Sequence, residues 1–174
     1  NILQWLSGIA TLTDRYVKKV APVKVLDTRK TTPGLRVFEK YAVACGGAIN
    51  HRFGLYDQVL IKDNHIEAAG GISNAVSAIR KKVSENKKIE VEVQSVEEVK
   101  EALESHVDII MLDNMVIDTM HQCITFIDGK AKTEISGGIT FERLEEISTT
   151  GADFVSIGAL THSAPAVDIS MNIK

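Results

Sequence analysis

Cysteine is scarce in this chain, with Cys45 and Cys123 the only two among 174 residues. They show no metal-ligand spacing and no disulfide framework, which excludes a stapled secreted domain and points to a reducing cytosol. A basic excess is also lacking: 20 Lys and Arg against 23 Asp and Glu give a net charge of −3. Duplex binding needs a clustered cationic surplus, so no nucleic-acid partner is expected, and any anionic ligand must meet a local cationic pocket. No apolar run approaches the roughly 18 residues of a membrane span, and no signal-peptide pattern is present. A soluble, cytoplasmic protein with no membrane partner is expected. What is there is ordinary for a globular domain, 44% hydrophobic and 25% charged, at about the length of one domain.

Six short apolar runs recur at intervals long enough for a helix: "VKVLD" (23–27), "QVLIK" (58–62), "IEVEV" (89–93), "DIIMLD" (108–113), "TEISGG" (133–138) and "DFVSIG" (153–158). They are rich in Val and Ile and mostly lack strict alternation, the mark of strands buried on both faces of a parallel sheet. Amphipathic segments at 72–84, 95–105 and 140–151 lie between them, the last with Thr140 at an N-cap position and Gly151 at a C′ position. Alternating strands and helices mean βαβ units and an α/β fold. No Gly-x-Gly-x-x-Gly follows the first strand, and polar clusters end nearly every strand, as in a barrel whose active site rings the carboxyl ends. The expectation is a single domain over 1–174, a barrel of six or seven parallel strands. The tail "VDISMNIK" (167–174) alternates like an edge strand that leaves the barrel. The chain also lacks an initiator Met and opens inside a helical pattern, "NILQWLSGIATL", so it reads as the later part of something longer.

The polar strand ends carry the chemistry. They are Asp27-Thr28-Arg29-Lys30, Lys62-Asp63-Asn64-His65, Glu92, Asp113-Asn114, Ser136-Gly137-Gly138 and Gly158-Ala159, with His51-Arg52 just before the second strand. Taken alone, "DTRKTTPG" is a solvated turn stopped by Pro33 and Gly34. Its place after a buried strand argues otherwise, since an Arg there points into the ring with a guanidinium built to grip a carboxylate or phosphate. "SGG" reads equally well as a tight turn or as a phosphate loop before a helix N-terminus. Gly158 fits the second of the paired phosphate loops common after the last strands of such barrels, with His162 in reach of it. Glu92 and Asp113 either balance cations or hold ribose hydroxyls and a divalent metal. His106 and His121 read as surface residues.

Together "LDTRKTTPGLR", "GGAINHRFGLYDQVLIKDNHI", "VEVQSVEE", "IMLDN", "SGGI" and "SIGALTHS" resemble, in order and over essentially the whole chain, the quinolinate phosphoribosyltransferases of the type II phosphoribosyltransferase group. The resemblance implies an α/β barrel preceded by an open-faced sandwich domain. It implies a pentosyltransferase reaction: quinolinate and phosphoribosyl pyrophosphate give nicotinate mononucleotide, pyrophosphate and carbon dioxide with Mg²⁺, in NAD biosynthesis. By the same likeness Arg29, His51, Arg52 and Lys62 would clamp the two carboxylates, and Lys30, Lys62 and His65 would face pyrophosphate. Glu92 and Asp113 would take the ribose hydroxyls and the metal, and Ser136, Gly137, Gly138, Gly158 and Ala159, with His162 nearby, the 5′-phosphate. Lys30, Lys62, Glu92 and Asp113 are the catalytic candidates. The family further implies a homodimer or hexamer whose sandwich domain brings basic residues into a neighbouring barrel, so this chain alone is expected to turn over weakly or not at all. Two other readings stand beside it: a related enzyme for another ring acid, and a noncatalytic anion-binding barrel.

Overall fold

The computed structural model describes residues 1–173. Six strands, β1 (Lys24–Leu26), β2 (Val59–Ile61), β3 (Ile89–Val93), β4 (Ile109–Asp113), β5 (Lys132–Ser136) and β6 (Phe154–Ser156), pair in the order β1-β6-β5-β4-β3-β2. Every pairing is parallel. That order is the cyclic succession of a barrel cut between β1 and β2. In the cut, Ile49 bridges Leu26 in parallel, its N–H donating to Val25 O and its carbonyl accepting from Asp27 N. The expected α/β barrel of six or seven strands therefore stands as six strands plus one bridging residue in the seventh place.

Each apolar run of the sequence yields one strand, and the helices between them cover the outside. The long α1 (Ile2–Val20) buries Ile9, Tyr16 and Val20, with Lys18 and Lys19 in its last turn where the helix dipole favours cations. In sequence order follow α2 (Arg36–Cys45), α3 (Asp63–Ala69), α4 (Ile72–Arg80), α5 (Val96–Glu104), α6 (Ile117–Ile127), α7 (Leu144–Ser148) and α8 (Ala159–His162). At α5 the Ser95 hydroxyl accepts from Glu98 N at 3.2 Å while Glu98 Oε2 accepts from Gln94 N at 2.6 Å, so this start is capped from both directions. Ile110, Leu112 and Ile135 are fully buried on the outward strand face. Each contributes about 1.5–3 kcal/mol of burial free energy.

Both faces of the sheet are buried, but they differ in kind. Along β3 the residues Ile89, Val91 and Val93 face the helices, while Glu92 points to the barrel axis and lines the central cavity. Glu90, two residues earlier on the same face, lies deeper and is fully buried.

Two local expectations are corrected. The segment 140–151 holds a helix only over Leu144–Ser148, preceded by Arg143 with no side-chain cap from Thr140, although Gly151 does adopt φ +78°. The tail forms no strand over 167–173: Val167 N donates to Gln4 O at 3.0 Å and Gln4 Nε2 donates to Ile169 O at 2.9 Å, which ties the tail to α1. Lys174 lies outside the described residues. Among the described residues no helix is long and apolar enough to cross a membrane.

Candidate active site

The carboxyl ends of the strands surround a cavity of about 810 Å³. Every residue to which the family resemblance gives a role lines it except His65; of the other polar strand-end residues, Asp27, Asp63 and Asn64 also stay outside the lining. Arg29 and Lys30 enter from the turn after β1, Lys62 from the end of β2, Glu92 and Asp113 from β3 and β4, Ser136 to Gly138 from β5, and Gly158, Ala159 and His162 from β6 and α8. Lys62, Glu92, Asp113 and Ser136 sit at strand ends whose inward face is set by the period of two, and the others follow on the turns that leave those ends.

Cations dominate one side. Arg29 Nε is buried with no hydrogen-bond partner, although Arg36 Nη2 donates to the Arg29 carbonyl at 3.2 Å and fixes its backbone. Burial holds the Arg52 guanidinium below its ordinary pKa, and the Arg29 charge lowers it further. Two guanidiniums that repel each other in a half-buried pocket, one with an orphaned donor, leave a hole for an anion. Lys62 Nζ forms an ion pair with Glu92 Oε2 across the ends of β2 and β3. Asp113 Oδ2 accepts from Asn114 Nδ2 at 2.8 Å.

The glycine loop after β5 is built from backbone. Gly137 and Gly138 hold φ of +86° and +59°, and a Cβ at Gly137 would overlap the Asn114 side chain and come within 2.7 Å of Asn114 N. Only glycine fits there without strain. Helix α7 starts later, at Leu144, so the donors available here are loop N–H groups and not the helix N-terminus expected from the sequence. Gly158 is the residue before α8; a Cβ on it would meet His162 Nε2 at 3.1 Å and Lys30 Cδ at 3.3 Å, so His162 and Lys30 do flank this loop.

His51 is nearly buried, and its contacts lead into the barrel interior. Its Nε2 lies 3.2 Å from Glu90 Oε2 and 3.5 Å from Glu134 Oε2. Burial pulls its pKa down, but hydrogen bonding and charge from Glu134 and Glu90 outweigh it and raise it. On the other edge of the ring, Arg52 N donates to Nδ1 at 2.7 Å, a contact that an imidazolium cannot accept. The two carboxylates on their own would hold an imidazolium, with a pKa of about 10, whereas the Arg52 N–H at Nδ1 excludes one. The hydrogen-bond geometry is satisfied by a neutral ring protonated at Nε2 with a second proton held on the Glu90–Glu134 pair. Glu90 is raised by its burial and by the nearby Glu134 carboxylate.

The sequence matches the family described as quinolinate phosphoribosyl transferase, C-terminal domain, over residues 9–172. The chain belongs to the quinolinate phosphoribosyltransferase family. A probable nicotinate-nucleotide pyrophosphorylase (carboxylating) of Bacillus subtilis is 47% identical over 99% of the chain and 61% of its own length. The chloroplastic nicotinate-nucleotide pyrophosphorylase (carboxylating) of Arabidopsis thaliana is 44% identical over 99% of the chain and 55% of its own length. Among solved structures, NadC from Streptococcus pyogenes superposes with a TM-score of 0.96 at 48% identity, covering 99% of the chain and 61% of that protein. The chain thus spans about three fifths of the bacterial relatives it matches. A thiamine phosphate pyrophosphorylase from Pyrococcus furiosus, at 15% identity and a TM-score of 0.52, shares the fold alone.

Within this quinolinate phosphoribosyltransferase barrel the sequence reading leaves three residues to be placed. His65 sits outside the cavity lining: its Nδ1 accepts from Lys62 N at 3.0 Å and closes the first turn of α3. Part of the chemistry packed into "KDNH" therefore starts a helix, with Asp63 in the first turn favouring the helix dipole. Glu90 and Glu134 lie below the polar strand ends, one layer deeper in the barrel. Their signal was present, since "IEVEV" and "TEIS" put each of them two residues before a strand-end site residue and hence on the same inward face.

Proposed function

We propose that the protein transfers the phosphoribosyl group of phosphoribosyl pyrophosphate to quinolinate with loss of carbon dioxide, giving nicotinate mononucleotide for NAD biosynthesis. The observation that carries this reading is the repelling pair Arg29 and Arg52, with the unpartnered Arg29 Nε, facing the Lys62 strand end across one cavity. A ring with two adjacent carboxylates satisfies those three cations together, Arg by bidentate hydrogen bonds and Lys as a point charge. Lys30 faces the pyrophosphate. The loops at Ser136 to Gly138 and at Gly158 and Ala159, with His162 beside them, take the 5′-phosphate, as paired loops after the last barrel strands do elsewhere.

The ring nitrogen attacks the anomeric carbon while the bond to pyrophosphate breaks and its electron pair leaves with the pyrophosphate. Positive charge develops on the ribose, so the residues' task is to hold the nitrogen in line and neutralise the leaving group. The ribosylated ring is then cationic. When the adjacent carboxylate leaves as carbon dioxide, the ring accepts the electron pair of the broken carbon–carbon bond, and the ring carbon takes a proton. Glu92 and Asp113 end adjacent strands as hard oxygen donors lining the cavity, a set that suits Mg²⁺ completed by substrate oxygens and water. Bound there, the ion would neutralise pyrophosphate charge. Glu92 also suits the ribose hydroxyls once Lys62 turns to a substrate carboxylate.

The working protein, on this reading, is a cytoplasmic homodimer or hexamer in which further residues cover the barrel mouth. Exposed apolar side chains at Val37, Phe38 and Tyr41 on α2, and at Leu55 and Tyr56 on the loop whose Phe53 carbonyl accepts from Arg36, support a covering surface. The test is carbon dioxide release from carboxyl-labelled quinolinate in the presence of phosphoribosyl pyrophosphate and Mg²⁺. Release that requires phosphoribosyl pyrophosphate, and that nicotinate cannot replace as ring acid, is the expected result. Quinolinate binding with no release, even after a sandwich domain is supplied, would make the barrel a noncatalytic anion binder.

A further inference from the structure

Beneath the cavity, His51 meets two carboxylates that no step of the proposed reaction uses. Glu90 and Glu134 are fully buried, and one oxygen of each, Oε1, has no hydrogen-bond partner. We propose that Glu134, together with Glu90, is a positioning residue for ring-acid recognition: it fixes His51 as the neutral Nε2–H tautomer, and His51 in turn fixes Arg52 instead of gripping a carboxylate itself. This inference rests on reading the cavity as a ring-acid site.

Arg52 N–H donates to His51 Nδ1 at 2.7 Å, so Nδ1 carries a lone pair and the ring proton sits on Nε2. That proton points at Glu90 Oε2 and Glu134 Oε2. Two bare carboxylates would draw a second proton onto the ring, so the neutral tautomer requires Glu90 and Glu134 to share a proton of their own, as the raised Glu90 carboxyl beside Glu134 allows. Both ring nitrogens are thereby used inside the protein, and neither remains to donate to a ligand. What His51 offers the cavity is ring carbon.

The same tautomer argues against a metal at this cluster of one histidine and two glutamates. A metal would need the Nε2 lone pair and would push the ring proton to Nδ1, against the Arg52 N–H. The composition looks like a ligand set, but the hydrogen bonding is that of a strut.

The strut is closed on itself. Gln58 Nε2 donates to Glu90 Oε2 at 2.8 Å, and the Gln58 carbonyl accepts from Arg52 Nη1 at 3.3 Å. His51 N donates to Asp27 Oδ1 at 2.8 Å and its carbonyl accepts from Lys40 Nζ at 2.9 Å. The His51-Arg52 dipeptide is held at its backbone, at its ring and at one guanidinium nitrogen, leaving the other guanidinium N–H groups aimed by the fold. Such preorganisation sets where an anion is gripped, and so which ring acid fits.

Two measurements on the intact protein decide it. In ¹⁵N spectra of labelled histidine, with the His51 signals identified by their loss in His51→Gln, the neutral Nε2–H pattern at pH 7 is expected; an imidazolium or Nδ1–H pattern overturns the proposal. This readout needs no turnover, so it is decided even if the proposed reaction fails. In kinetics, Glu134→Ala should raise KM for quinolinate on the order of tenfold to a hundredfold while KM for phosphoribosyl pyrophosphate holds. Adding Glu134→Ala to His51→Ala should cost nothing more, because Glu134 acts through the ring. Independent, multiplying losses overturn the proposal. Should Glu134→Ala not fold, Glu134→Gln carries the test: its amide oxygen still accepts from Nε2–H, so quinolinate affinity should stay within a few-fold of wild type, and a loss as large as that of His51→Ala overturns the role.

Discussion

Lys40 Nζ lies 2.5 Å from Asp27 Oδ1, and both side chains are buried, so this ion pair is closed off from solvent. Burial holds the Asp27 carboxyl above its ordinary range even though Lys40 and the His51 N–H oppose that rise. Its value lies in where it anchors the chain. Each partner also bonds the His51 backbone, so the pair ties α2 and the end of β1 to the loop that delivers His51 and Arg52.

Removing one partner should therefore be far worse than removing both. Lys40→Met leaves Asp27 as an uncompensated buried charge, and a loss of about 3–5 kcal/mol in urea unfolding is expected. Lys40→Met with Asp27→Leu should recover a good part of it. A single-variant loss below about 1 kcal/mol, the size typical of exposed pairs, would mean that water reaches Asp27 and that the pair is not closed off.

The Lys62–Glu92 pair makes the opposite forecast. Lys62 keeps 43% of its side-chain exposure, and an ion pair that open to water is worth about 1 kcal/mol or less. Lys62→Ala should leave the urea midpoint nearly unchanged yet lower kcat/KM for quinolinate by about a hundredfold or more, as loss of a charge aimed at the reacting groups does. Near-normal turnover in that variant would remove Lys62 from the site, whatever the fold does.

Two glycines of the cavity should separate in the same way. At Gly137 the positive φ alone costs an L-residue about 1–2 kcal/mol, and Ala would also strike Asn114. At Gly158 the neighbours of an added methyl are the ends of His162 and Lys30, which can swing aside. Gly137→Ala is thus expected to lower thermal stability and weaken phosphoribosyl pyrophosphate binding together, whereas Gly158→Ala should raise KM for phosphoribosyl pyrophosphate with little change in melting temperature. Equal melting temperatures for the two variants would mean that the loop after β5 relaxes freely.

The six strands were legible in the sequence because Val- and Ile-rich runs recur at helix-length intervals, and parallel pairing follows from the helices between them. The cavity ring was legible because strand ends of a barrel converge whatever their order. Less visible was what lies one layer down. "IEVEV" alternates, and its glutamates point to the axis, but a reading that looks only at strand ends stops at Glu92 and passes over Glu90. Nor could the sequence say what His65 and His51 touch. His65 caps a helix begun by its own strand end, and His51 turns Nε2 toward carboxylates from β3 and β5, partners distant in sequence that only the closed sheet brings together.

Asp153 offers a test of the seam between β5 and β6 through pH. It accepts from Lys132 Nζ at 2.7 Å and from Thr133 N at 2.9 Å. Burial would raise its pKa, but the Lys132 hydrogen bond and charge and the Thr133 donors outweigh it and hold the carboxyl below its ordinary value. A folded pKa below the unfolded one, which is about 3.9, means that the carboxylate stabilises the fold fully above that unfolded value and progressively loses this contribution as pH falls through the folded value. Asp153→Asn, which cannot ionise, should be less stable than wild type at pH 6, and the gap in urea midpoint should shrink as pH falls below about 4. A gap that stays constant down to the acid limit would assign the Asp153 contribution to hydrogen-bond geometry and not to its charge.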